Sequence, residues 1–147
     1  MMKHTILILF LFLSLLCHGQ SYKFFTTDRE LSSSLINKIY QDRNGMIWIA
    51  TEDGLNRYDG AKFITYKHDP ENEYSLCHNY VRVLYEDSKG RLFVGTYNGI
   101  QLYDPETDSF SARAQWEDGK TFDSNIMSIL ERRNGEIWVS GLSLIHI

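Results

Sequence analysis

Cysteine is scarce in this chain of 147 residues, and positive charge is not in excess. Of the two cysteines, Cys17 falls in an apolar leader and Cys77 stands alone beyond it. No internal disulfide can therefore staple the rest, which must hold by packing. For Cys77 the expectation is a partly buried thiol in a loop. The net charge of −4, with basic residues scattered after Lys3, leaves no footprint for nucleic acid or an anionic membrane surface. No apolar run reaches the roughly 20 residues of a good transmembrane helix. Also missing are a glycine-rich phosphate loop, a kinase signature and a DNA-reading helix.

Catalytic constellations are equally scarce. His4 and His18 sit in the leader and His146 in the atypical end, while His68 and His78 lack a nucleophile partner at a diagnostic spacing. Asp69, Glu71 and Glu73 match no calcium-loop motif. The expectation is a non-enzymatic chain with no cofactor and no metal.

What is present begins with the leader. Lys3 and His4 precede an apolar run from Ile6 to Leu16, broken only by Ser14, and Cys17-His18-Gly19 follows. That order describes a secretory signal peptide over 1–19, with an uncleaved signal anchor as the alternative. Leu16 stands where a lipoprotein signal wants a small residue, which argues against Cys17 as a lipid attachment point. Aromatic content of 14% leans towards β structure.

The dominant feature is a repeat. Gly45, Gly90 and Gly135 lie 45 residues apart, within "YQDRNGMIWIATEDGLNRYD", "YEDSKGRLFVGTYNGIQLYD" and "LERRNGEIWVSGLSL". At the same offset Trp48 meets Phe93 and Trp138, Thr51 meets Thr96, Gly54 meets Gly99, Tyr58 meets Tyr103 and Asp59 meets Asp104. Upstream, Ile36, Val81 and Ile126 align, as do Ile39, Leu84 and Ile129.

Each unit divides into four short segments: Ile36–Gln41, Met46–Thr51, Leu55–Tyr58 and Phe63–Tyr66 in the first. The second unit matches with Arg91–Thr96, Ile100–Tyr103 and Ser109–Ala112, after an alternating Val81, Val83, Tyr85. Asn44-Gly45, Lys89-Gly90 and Asn134-Gly135 suit tight hairpins. Apolar side chains at both parities of Met46–Ala50 imply a strand covered on both faces, as in radially stacked blades. The expected fold is all-β: four-stranded antiparallel meanders forming β-propeller blades, about two and a half of them.

The pattern D-x-x-G-x-x-W-I-x-T-x-x-G-L-x-x-Y-D resembles the two-component regulator propeller repeat. Asp42, Gly45, Trp48, Thr51, Gly54, Leu55, Tyr58 and Asp59 carry it, and the second copy substitutes Phe93 and Ile100. The third matches through Gly135, Ile137, Trp138 and Val139. The resemblance implies a seven-bladed propeller on the periplasmic side of the inner membrane, in the sensor region of a two-component regulator responding to carbohydrate. It implies a glycan ligand and downstream signalling domains as partners, with a homodimer also expected. Propeller enzymes of the streptogramin-lyase or glycosidase kind, and a protein-interaction scaffold, are the alternatives.

The expected organisation is 20–32 as a leading segment, 33–78 as blade 1, 79–123 as blade 2, 124–141 as a partial blade 3, and 142–147 as an atypical tail. Tyr22 to Thr27 are expected to form the outer strand of the closing blade. Gly141 and Leu144 stand where the repeat wants Thr and Gly, so the tail is expected to add no further strand and to be foreign sequence. The repeated aromatics Trp48, Phe93 and Trp138 read as interblade core, and the repeated aspartates as turn residues. Specificity should sit in the non-repeating loops, Lys67–Tyr80 and Arg113–Asn125. Within and beside them Tyr74, His78, Tyr97, Trp116 and Asp118 are the candidate ligand contacts.

Overall fold

The computed structural model describes residues 22–26, 30–115, 123–141 and, by backbone alone, 144–146. Eleven strands and no helix occur among the described residues. The first sheet is the meander β1 (Ile36–Gln41), β2 (Ile47–Thr51), β3 (Gly54–Tyr58) and β4 (Phe63–Tyr66). The second repeats it with β5 (Val81–Glu86), β6 (Leu92–Thr96), β7 (Gly99–Asp104) and β8 (Ser109–Phe110). A third holds β9 (Ser128–Glu131), β10 (Ile137–Ser140) and β11 (Leu144–His146).

Local chemistry explains the hairpins. Gly45, Gly90 and Gly135 adopt φ of 84°, 83° and 87°, a region that costs glycine nothing and side-chain-bearing residues a good deal. Asp42 fixes the first turn by accepting from the amides of Asn44 and Met46 at 2.9 and 3.0 Å, and its other oxygen takes the Trp48 indole N–H at 2.8 Å. Asp87 repeats the turn bonds with Lys89 and Arg91. Thr51 and Thr96, both fully buried, bridge the next turn by donating to the carbonyls of Gly54 and Gly99.

Two seams join the sheets. Trp48, Ala50 and Leu55 of the first sheet pack on Val81, Leu84, Leu92, Val94 and Phe110 of the second. Val83, Tyr85, Phe93 and Ile100 of the second meet Ile126, Ile129, Ile137 and Val139 of the third. Each β6 face thus looks into a different seam, which is why the strand reads apolar at both parities.

Several expectations are corrected. The fourth strand of the second unit stops at Phe110, short of Ala112. There the Ser111 hydroxyl accepts the Leu102 amide at 2.9 Å, a side-chain substitute for a ladder carbonyl. The ladder also bulges between Ile36 and Lys38 and, one repeat later, between Val81 and Val83. Over 22–26, the described part of the expected outer strand, no strand forms; Phe25 instead packs on Tyr58 and Phe63, with centroids 5.1 and 5.0 Å away.

The end of the chain does add a strand, β11, against the expectation of none. Its register departs from the repeat by one residue. Ser140 pairs with Leu144, whereas its counterpart Gly95 pairs with Ile100, five positions on. A built Cβ on Gly141 would lie 2.7 Å from Ser124 Oγ and 2.9 Å from the Asn125 carbonyl, so the repeat's threonine has no room there.

Candidate functional site

The loop from Lys67 to Tyr80 is built by its own polar groups. Asn72 donates its amide to the Asp69 carbonyl, and the Asp69 amide bonds Ser75 Oγ at 2.9 Å. His68 bonds the Leu76 carbonyl through Nδ1 at 2.6 Å. Leu76 is fully buried and anchors the loop in the first seam.

Past that anchor, the chain rises onto the turns between second and third strands. His78 and Tyr97 come together with ring centroids 5.6 Å apart, and Tyr80 lies 6.0 Å from Tyr97. The Tyr97 amide bonds the Tyr80 carbonyl at 3.0 Å, fixing the shelf to the backbone. Tyr80 also donates its hydroxyl to Glu52 at 3.1 Å. Beside it, Asp53 pairs with Lys67 at 2.6 Å and accepts from Asn79 at 3.3 Å. Tyr97 is 55% exposed, so an aromatic face is offered to solvent with carboxylates at its rim.

Desolvation, reinforced by the charge of His68, lowers the His78 pKa from its ordinary value. His78 is therefore neutral at pH 7. Its Nδ1 accepts the Tyr80 amide at 2.9 Å, which leaves the proton on Nε2 as a donor. The shelf can stack on an apolar ring face, donate from Nε2 and from tyrosine, and accept at Glu52.

Of the other candidate contacts, Tyr74 lies elsewhere. Its carbonyl accepts the Phe110 amide at 2.9 Å, which places it beside β8, in a surface cleft of about 600 Å³ shared with Asn72 and Thr107. Trp116 and Asp118 lie outside the described residues. A second cleft of about 500 Å³ separates the loop from the start of the next one, with Asp69, Glu71, Glu73 and Arg113 on its walls. Among the described residues no group of three or more His, Cys, Asp or Glu converges to hold a metal.

One repeated polar network escaped sequence reading. Ser32 bonds Thr51 at 2.9 Å and donates its amide to Asn56 at 3.1 Å. One repeat on, Cys77 meets Thr96 at 3.2 Å and donates its amide to Gln101 at 2.7 Å. Asn56 and Gln101 are buried inside their sheets. Cys77 lies in the loop, as expected, but is buried rather than partly buried, and burial pushes its pKa up. The 45-residue spacing of Ser32 to Cys77 and of Asn56 to Gln101 was the available signal.

Four-stranded meanders stacked face to face, with repeating seams and one face of variable loops, define a segment of a β-propeller. The model of the two component regulator propeller family matches residues 30–53 and 75–98. The chain thus carries two stretches of this family's repeat.

Its relatives are larger proteins. A protein named histidine kinase P4 from Formosa agariphila is 40% identical over 73 residues, which are 47% of this chain and 5% of the relative. The extracellular domain of a protein described as a hybrid two component system of B. thetaiotaomicron superposes with a TM-score of 0.67 at 28% identity, over 80% of this chain and 17% of that one. Another B. thetaiotaomicron extracellular domain, described as from a one component system, gives 0.70 at 22% over 88% and 19%. Virginiamycin B lyase of Staphylococcus aureus shares the fold, with a TM-score of 0.54 at 17% identity over 78% and 38%. The chain therefore spans about a twentieth of the curated relative and under a fifth of the two extracellular domains.

Proposed function

We propose that this chain contributes part of an extracytoplasmic, ligand-sensing propeller of a two-component regulator, that carbohydrate is its ligand, and that its role is non-catalytic. The observation that carries the reading is the shelf of His78, Tyr97 and Tyr80, formed where the regulator-type repeats differ from one another. An exposed aromatic face with rim carboxylates suits the alternating apolar faces and hydroxyls of a sugar ring. The match to this family's model and the extracellular domains among the similar structures support an outward-facing location. Signalling domains of the same full-length protein would receive the bound state, as would a homodimer partner.

Calorimetric titration of the full-length ectodomain against a glycan panel tests this. At least one glycan is expected to bind, and Tyr97→Ala is expected to weaken it about tenfold or more while leaving the fold intact. Absence of binding across the panel, or binding indifferent to Tyr97→Ala, contradicts the proposal.

A further inference from the structure

The shelf of His78, Tyr80 and Tyr97 is charged with one sign in excess. Its two carboxylates are Glu52, which accepts the Tyr80 hydroxyl at 3.1 Å, and Asp53. Its lysine, Lys67, is held by Asp53 at 2.6 Å. Asn79 ties the same Asp53 to the histidine side, donating to it at 3.3 Å and accepting the His68 amide at 2.7 Å. Among the described residues no other lysine or arginine bonds a shelf side chain.

His78 cannot supply the missing cation. Its Nδ1 faces the Tyr80 amide N–H at 2.9 Å, and a proton there would set donor against donor. Burial and the neighbouring His68 oppose a charge on the ring as well. The hydrogen therefore stays on Nε2, which has no partner among the described residues. With Lys67 committed to Asp53, Glu52 leaves the rim negative beside one neutral donor and two tyrosine rings.

Resting on the carbohydrate reading above, we propose that the shelf selects uncharged glycans and turns away acidic ones. One sugar hydroxyl accepts from His78 Nε2 and another donates to Glu52, while the ring lies on Tyr97. A uronate or sulfate in the same place meets Glu52 with like charge. No uncommitted cation offsets the water it gives up.

The test is calorimetry of the full-length ectodomain with matched oligosaccharides. The probes are cello-, malto-, laminari- and manno-oligosaccharides, each also oxidised at the primary hydroxyl to the uronate. A neutral oligomer is expected to bind about tenfold or more tightly than its oxidised form. Glu52→Gln, which keeps an oxygen for the Tyr80 hydroxyl, should narrow that ratio several-fold. Oxidised forms that bind as tightly as the neutral ones, or more tightly, overturn the selectivity and leave the carbohydrate reading standing. So does a ratio that Glu52→Gln leaves unchanged. Binding by none of the probes, neutral or oxidised, contradicts both.

Discussion

At the seam between the first and second sheets Trp48 is completely buried, while its counterpart Phe93, at the seam between the second and third, is only partly covered. The strand position is the same, but its own sheet places different neighbours beside it. Over Trp48 the second sheet supplies Tyr103 at a centroid distance of 4.7 Å, and Phe110 joins the same cluster. Arg57 completes the first seam: its guanidinium lies 5.6 Å from the Trp48 ring and 5.7 Å from Tyr66 and Tyr103. It pairs with Asp108 at 2.7 Å and donates to the Tyr103 hydroxyl. Tyr66 and Tyr103 both donate to the same Asp108 oxygen.

At the second seam Leu102 and Ser111 replace Arg57 and Tyr66, and an apolar groove of about 390 Å³ lies beside Phe93, Ile100, Ala114 and Ile137. A repeat thus fixes where a seam forms, but non-repeated residues decide how firmly it closes.

The comparison can be broken most severely at its aromatic position. Trp48→Ala should cost about 3–5 kcal/mol, the range for a fully buried aromatic. Phe93→Ala should cost less and Trp138→Ala least, an order that urea denaturation of the three variants checks. Next in size is the clasp. Asp108→Asn removes the charge that Arg57 and two tyrosines share, and about 1 kcal/mol is expected because Asp108 is half exposed and solvent screens it.

Titration sharpens the contrast from the alkaline side. Burial, then the bond to Asp108, pushes Tyr103 up to about 12, and the same causes raise Tyr66 further. Both pKa values are raised in the folded state, so their contribution is complete below the ordinary value of 10.0 and is lost as pH climbs towards 12. From the acid side, burial of Asp108 opposes but does not outweigh Tyr66, Tyr103 and Arg57, which hold its pKa below 3.8. That contribution is present above 3.8 and fades as pH falls through the lowered value. Thermal melts across pH should therefore show losses at both ends, and Tyr103→Phe should reduce the alkaline one. The smallest effect belongs to Lys67→Ala: its pair with Asp53 is exposed, so the unfolding free energy from urea denaturation should change by no more than about 0.5 kcal/mol.

What the sequence made legible follows from its periodicity. The hairpin glycines, the doubly covered β2 and β6 and the seam role of Trp48 all recur at 45 residues, so each copy checked the other. The bulges at Asn37 and Arg82 recur too, but nothing in those two residue types marks an unpaired position. Arg57, Tyr66 and Asp108 do not recur, and only three-dimensional proximity joins them. Tyr74 stands apart from the shelf because its loop doubles back along β8, a path set by backbone bonds rather than by residue type. Within the site, the variable loop pointed to His78 and the turn on the same face to Tyr97, while the seat of Tyr80 against Glu52 depended on the fold.

Amide hydrogen exchange followed strand by strand tests the central claim most directly, because exchange reads how firmly each seam closes. The slowest exchange is expected in β2, β3 and β6, on either side of the Trp48 seam, with β9 and β10 exchanging faster. Equal protection in all three sheets, or greater protection in β9 and β10 than in β2, would contradict the account.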